Sequence, residues 1–200
     1  MKCRDAKTQR KILMGFSCAS LAFSCSGSPA DETHQSVSSE TGLMTWETKN
    51  KGVHLRLTQI SSDQARAFML ARGMDTKSAS EFADTCVYMT VLRNDSKQPI
   101  KYSLSDWRYV EHGGKQQPML TKHDWLARWQ PRKFGKPVMI AFAWSQFPVE
   151  QTFSPGDWNQ GMTTFDLSAG SRFDVRFRWR QNGRVNEGIL ENVQCAARAE

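Results

Sequence analysis

Downstream of position 42, apolar residues recur with two different spacings. Over positions 43–48 and 53–59 they alternate with polar ones. Val53, Leu55 and Leu57 share one face and His54, Arg56 and Thr58 the other, the period of a half-buried strand, with Lys49-Asn50-Lys51-Gly52 as the turn between. The spacing then lengthens to that of helices. Ser62-Asp63 can cap a helix that turns Ala65, Phe68 and Met69 inward and stops at Gly73. A second helix begins near 75–78 and runs to about Ala83, with Ser78 and Glu81 at capping-box spacing. Alternation returns over 87–93, ends at Asn94-Asp95-Ser96, and resumes over 100–104 and 107–110. A Gly113-Gly114 turn leads to a short strand at 117–119, and positions 121–129 predict a short helix. Positions 138–147 are apolar almost throughout, as a central buried strand would be, and 162–167 predict another strand beyond Pro155-Gly156-Asp157.

The clearest element is the last hairpin. Phe173, Val175, Phe177 and Trp179 alternate with Arg172, Asp174, Arg176 and Arg178, and Asn182-Gly183 marks the turn. Two registers compete. A two-residue loop sets Arg178 opposite Glu187 but leaves Phe177 facing Gly188. A three-residue loop sets Trp179 opposite Val185 and Val175 opposite Ile189, at the cost of Phe177 opposite Glu187. Two apolar pairs outweigh one exposed ion pair of roughly 0.2–1 kcal/mol, so the three-residue loop is the expectation.

Many short strands at regular spacing predict a mainly β domain over residues 42–200, an immunoglobulin-like β-sandwich with short helical insertions. No internal repeat is visible. Residues 26–41 are polar, lack aromatics and have no periodicity, which predicts a flexible tether; His34 lies in it.

Upstream, Lys2, Arg4, Lys7, Arg10 and Lys11 form a basic region with one acid, Asp5, followed by an uncharged run over 12–23. That order is a secretory signal, assigned to residues 1–24, and the run is too short to span a bilayer as a mature helix. It ends Leu21-Ala22-Phe23-Ser24-Cys25, which resembles the lipobox of bacterial lipoproteins. The resemblance covers residues 12–25 only. It implies acylation of Cys25, cleavage before it, and a tethered domain in the bacterial cell envelope. Ser26 at the following position favours the outer membrane over the inner by similarity to enterobacterial lipoproteins. Cys18 has almost no apolar segment between itself and Arg10-Lys11. Ordinary cleavage after Ala30, giving a soluble periplasmic product, is the alternative.

Five cysteines occur: Cys3, Cys18, Cys25, Cys86 and Cys195. Two leave with the signal and one takes lipid, so an oxidising compartment invites a Cys86–Cys195 disulfide. The whole-chain charge of +7 needs the same correction. The segment before Cys25 holds five of 27 basic residues and one of 20 acidic ones, so the mature chain carries 22 minus 19, or +3. That excess is no argument for a nucleic-acid partner.

No G-x-S-x-G, H-E-x-x-H, Walker loop or dinucleotide fingerprint is present, and the reading is a non-enzymatic protein without a cofactor. Its expected partners are the membrane, through lipid, and an envelope protein or acidic glycan. A candidate copper site would gather His112, Met119 and His123, since thioether and imidazole suit cuprous ion, although methionine more often fills core. Arg172, Arg176 and Arg178 form a candidate face for an anionic partner, and Arg128, Arg132, Lys133 and Lys136 a second basic cluster; a solvated face that guards a sheet against aggregation accounts for such residues more often. Among seven tryptophans, Trp144 and Trp179 fall in buried-strand patterns, whereas Trp125, Trp129 and Trp158 fall in less regular segments; facing out they would suit a carbohydrate-binding module, although packing under loops is the commoner outcome.

Overall fold

The computed structural model describes residues 33–111 and 113–198, so Cys25 and His112 lie outside the described residues. Residues Asp31–Glu200 form one compact unit. In chain order it comprises strands β1 (Thr33–Val37), β2 (Met44–Asn50) and β3 (Val53–Ile60), helices α1 (Ser62–Leu70) and α2 (Thr76–Ala83), and strands β4 (Cys86–Asn94), β5 (Ile100–Ser103), β6 (Arg108–Glu111) and β7 (Gln116–Pro118). Helices α3 (Lys122–Trp129) and α4 (Lys136–Ser145) follow, then β8 (Glu150–Phe153), β9 (Trp158–Phe165), β10 (Arg172–Gln181) and β11 (Arg184–Gln194).

The strands form two antiparallel sheets. The first runs β1-β2-β3-β4-β9. In the second, β10 pairs with β11 on one side and with β5 and β6, end to end, on the other; β8 lies beyond β5 and β7 beyond β6. The protein is therefore mainly β, with four short helices inserted between strands.

Because side chains alternate across a strand, β4 feeds two cores. Cys86, Tyr88 and Leu92 point between the sheets, among Trp46, Leu55, Phe165, Phe173 and Phe177. Val87 and Met89 point the other way, into a core closed by Met69 of α1, Phe82 of α2, Trp125 and Trp129 of α3 and Phe142 of α4. The disulfide expected from the cysteine count is present: Cys86 and Cys195 are bonded, with Cα atoms 5.2 Å apart, and join the first sheet to the end of the second. A loop of that length is worth about 4–5 kcal/mol in the chain-entropy account. Beside it, the Tyr88 hydroxyl and the Gln59 amide both donate to the carbonyl of Gln194, at 2.6 and 2.7 Å. Burial raises the Tyr88 pKa well above its ordinary value, so that hydroxyl keeps its proton and its role as donor.

Helix caps follow local chemistry. The cap of α1 lies one residue earlier than expected: Ser61 is the N-cap, in a reciprocal box with Gln64. α2 is capped by Asp75, whose carboxylate accepts from the Ser78 N–H, which leaves Ser78 buried and not itself the cap. Thr121 and Asp124 form the box that opens α3.

Four expectations are corrected. The apolar run 138–147 predicts a buried strand, but α4 spans Lys136–Ser145, with Gly135 at its N-cap and Pro137 in its first turn. An apolar run without breaks fits either element, and proline near the start favours helix. Part of the expected tether is ordered, since Thr33–Val37 pairs with β2 as the edge strand of the first sheet. The short strand β8, carrying a single buried apolar anchor, Phe153, was not anticipated.

The fourth correction is the register of the β10–β11 hairpin. It takes the two-residue loop: Asn182 and Gly183 have φ of 51° and 73°, Gln181 pairs with Arg184, Arg178 with Glu187, and Phe177 with Gly188. The pairing of Phe177 with Gly188 looked like a defect and is the reason for the register. The Phe177 ring lies over the glycine so closely that a Cβ there would sit 2.3 Å from its Cζ. Gly188→Ala is therefore expected to destabilise the protein by about 1–3 kcal/mol through overpacking, against the trend of strand propensity. Urea denaturation of the two proteins checks it; an alanine variant of equal or greater stability would contradict this packing.

Candidate functional site

The outer face of the first sheet is covered over only part of its length. Helices lie over Val87, Met89, Met162 and Thr164, while His54, Arg56, Arg93 and Trp158 extend the same face beyond them. At the edge of the helical cover, Phe68 of α1 and Arg72 in the turn after it, Ala141, Trp144 and Ser145 of α4, Met89 of β4 and Gln160 and Met162 of β9 line a notch of about 260 Å³. α4 is held there by its C-terminal end: the Phe147 N–H donates to the Met162 carbonyl at 2.9 Å, and Gln146 bridges to Met162. The Arg72 guanidinium stacks on the Phe68 ring, 3.1 Å from its centroid. Trp144 stands at the rim, 87% exposed. The walls mix aromatic, aliphatic and thioether groups with the polar side chains of Arg72, Ser145 and Gln160. Such a notch can stack a ring or take an aliphatic chain, and it holds no paired nucleophile and base.

The tryptophans are redistributed relative to the sequence reading. Trp125 and Trp129 are buried, 4.9 Å apart between ring centroids, because they stand four apart on the inner side of α3. Their indole N–H groups donate to Thr164 Oγ1 and Glu81 Oε2. Trp144, expected in the core of a strand, is exposed because that segment is a helix. Trp179 is buried, as expected, and Trp158 is 57% exposed. The helical spacing of Trp125 and Trp129 was the available signal for their burial.

The candidate metal residues diverge. Met119 is buried in the core between the sheets, while His123 is exposed in the first turn of α3. Among the described residues, no three of His, Cys, Asp and Glu are placed to hold a metal ion.

Arg172, Arg176 and Arg178 do share the outer face of β10. Glu187 sits between two of them, accepting from Arg176 at 3.1 Å and from Arg178 at 2.6 Å. Arg108, paired with Arg176 across the strands, donates to the carbonyls of Ser105 and Trp107. Part of this face is thus compensated within the sheet. On the first sheet, burial pushes the Asp95 carboxyl up, but Lys49 and Arg93, at 3.2 and 2.5 Å, outweigh it and hold the pKa below the ordinary value. In the second basic cluster, Arg128 and Arg132 both reach Glu81 of α2, whereas Lys133 and Lys136 are exposed.

No known protein family matches the chain, and no curated protein matches it.

The contrast between two tryptophans is measurable. Trp129→Ala should cost about 3–5 kcal/mol in denaturant unfolding, as loss of a large core ring does. Trp144→Ala should stay within about 0.5 kcal/mol of the parent, as an exposed position does. Comparable losses at the two sites would contradict the placement of α4.

Proposed function

We propose that this chain is a bacterial envelope lipoprotein, held to the membrane by lipid on Cys25, whose domain has a non-enzymatic binding or accessory role. The observation that carries the binding role is Trp144: a large aromatic left 87% exposed at the rim of a notch that mixes polar and apolar side chains, on a helix fastened to the sheet edge. The basic region and lipobox-like run carry the anchor, and Ser26 favours the outer membrane. We also take the sandwich to be immunoglobulin-like in its layering, supported by two antiparallel sheets and a disulfide between them; β2, β3 and β4 are consecutive neighbours, so the likeness concerns layers and not strand order.

Cys25→Ala should abolish labelling with a fatty-acid analogue and move the protein from the membrane fraction to the soluble one. Wild-type protein that is already soluble, with a mature chain starting at Asp31, would defeat the anchor.

A second reading, carbohydrate binding, is favoured by one observation. Trp158 is exposed on the face that carries Gln160, two residues on, and Gln160 lines the notch rimmed by Trp144. If glycan strands are the ligand, their titration should shift the tryptophan emission of the parent and leave Trp158→Ala unresponsive. An unchanged spectrum in the parent would remove this reading. Copper handling ranks below both, because the Met119 thioether is committed to the core.

A further inference from the structure

Between Asp124 and Glu150 the chain contains no acid, and it carries Arg128, Arg132, Lys133 and Lys136. Glu81 takes up the two arginines from across the helical layer. Lys133 and Lys136 remain exposed at the start of α4, and among the described residues neither pairs with an acid. Lys136, Ile140 and Trp144 stand four apart, so they form one stripe along the helix. All three are exposed, Ile140 at 55%, while Phe142 fills the core on the opposite side. A surface helix of a globular protein ordinarily turns polar residues outward; α4 instead turns out a line of cation, aliphatic and aromatic.

We propose that this stripe lies on the surface of an anionic phospholipid membrane. Ile140 and Trp144 enter the boundary between headgroups and acyl chains, and Lys133 and Lys136 sit over the phosphates. This rests on the envelope reading above and deepens it by naming the surface bound. Two observations favour lipid over a protein partner. The stripe is one helix face with the exposed Lys133 and Lys136 at its N-terminal end, which suits a fluid anionic interface; a stable protein seat takes roughly 800 Å² from each partner. The leash is also short. With β1 starting at Thr33, only residues 26–32 separate it from Cys25, a reach of at most about 28 Å when fully extended. A domain held so close meets the bilayer continually, and a weak patch suffices to fix which face it turns toward the lipid.

The test uses the chain from Asp31, the compact unit described above, floated with vesicles of equal parts phosphatidylglycerol and phosphatidylcholine, or of phosphatidylcholine alone, at low salt. Because this protein lacks Cys25, its failure speaks of α4, whereas failure of the acylation test speaks of the anchor. The parent should float with the anionic vesicles and far less with the neutral ones. Ile140→Ala with Trp144→Ala should weaken the partition by at least about tenfold. Lys133→Gln with Lys136→Gln should weaken it by about fivefold per lysine, on anionic vesicles only. All four positions are exposed, and circular dichroism checks that the variants fold. A parent that stays with the free protein, or variants that float as well as it does, would overturn the proposal. A dimer in sedimentation that disappears with Trp144→Ala would overturn it in favour of a second copy of this chain.

Discussion

The structure depends on β4 burying both of its faces. A strand with one wet face needs a single partner layer, but Cys86-Val87-Tyr88-Met89 alternates between two dry ones. The inward set requires a second sheet, which β10 and its neighbours supply. The outward set requires a cover, which four short helices supply from two separate insertions, one between β3 and β4 and one between β7 and β8. Removing either insertion would expose apolar strand to water at roughly 25 cal/mol per Å². The inserted helices are therefore part of the fold's core, and not ornaments on a sandwich.

That division of labour sets where a surface site can form. The helices cover the Val87 end of the first sheet and stop before Trp158, so a step runs across the sheet where cover gives way to open strand. α4 lies at this step with one side against Phe82 and Trp129 through Phe142 and the other side without a covering element. Its N-terminal lysines and exposed Ile140 and Trp144 have little work in holding the fold, which is what allows them another role.

How much of this was legible in the sequence varies with how local the determining signal is. β3, β4 and the β10–β11 hairpin announce themselves by period-two alternation, α1 and α2 by helical spacing with cap-forming residues within a few positions of the true caps, and the disulfide by elimination among five cysteines. α4 did not, because a run apolar at nearly every position has no period to read; Gly135 and Pro137 were the only local hints. The hairpin register failed for another reason. A glycine opposite a phenylalanine looks like lost contact area in a list of pairs, yet in three dimensions the ring occupies the space the missing side chain leaves. β1 and β8 have weak patterns of their own and exist through pairing with β2 and β5. The notch was invisible because its residues come from α1 and the turn after it, α4, β4 and β9 and meet only in the folded chain.

The disulfide also divides the molecule topologically. Everything from β4 to the end of β11, the whole second sheet and α3 and α4 included, is enclosed in one covalent ring. β1, β2, β3, α1 and α2 form a single arm leading into that ring at Cys86. A peptide bond cut in any loop of the ring leaves one molecule with all its pieces still joined. A cut in the arm frees a fragment that only packing retains. The arm leads from the chain's N-terminal side, so under the proposed anchor at Cys25 the join between sandwich and lipid would run through a part the ring does not secure.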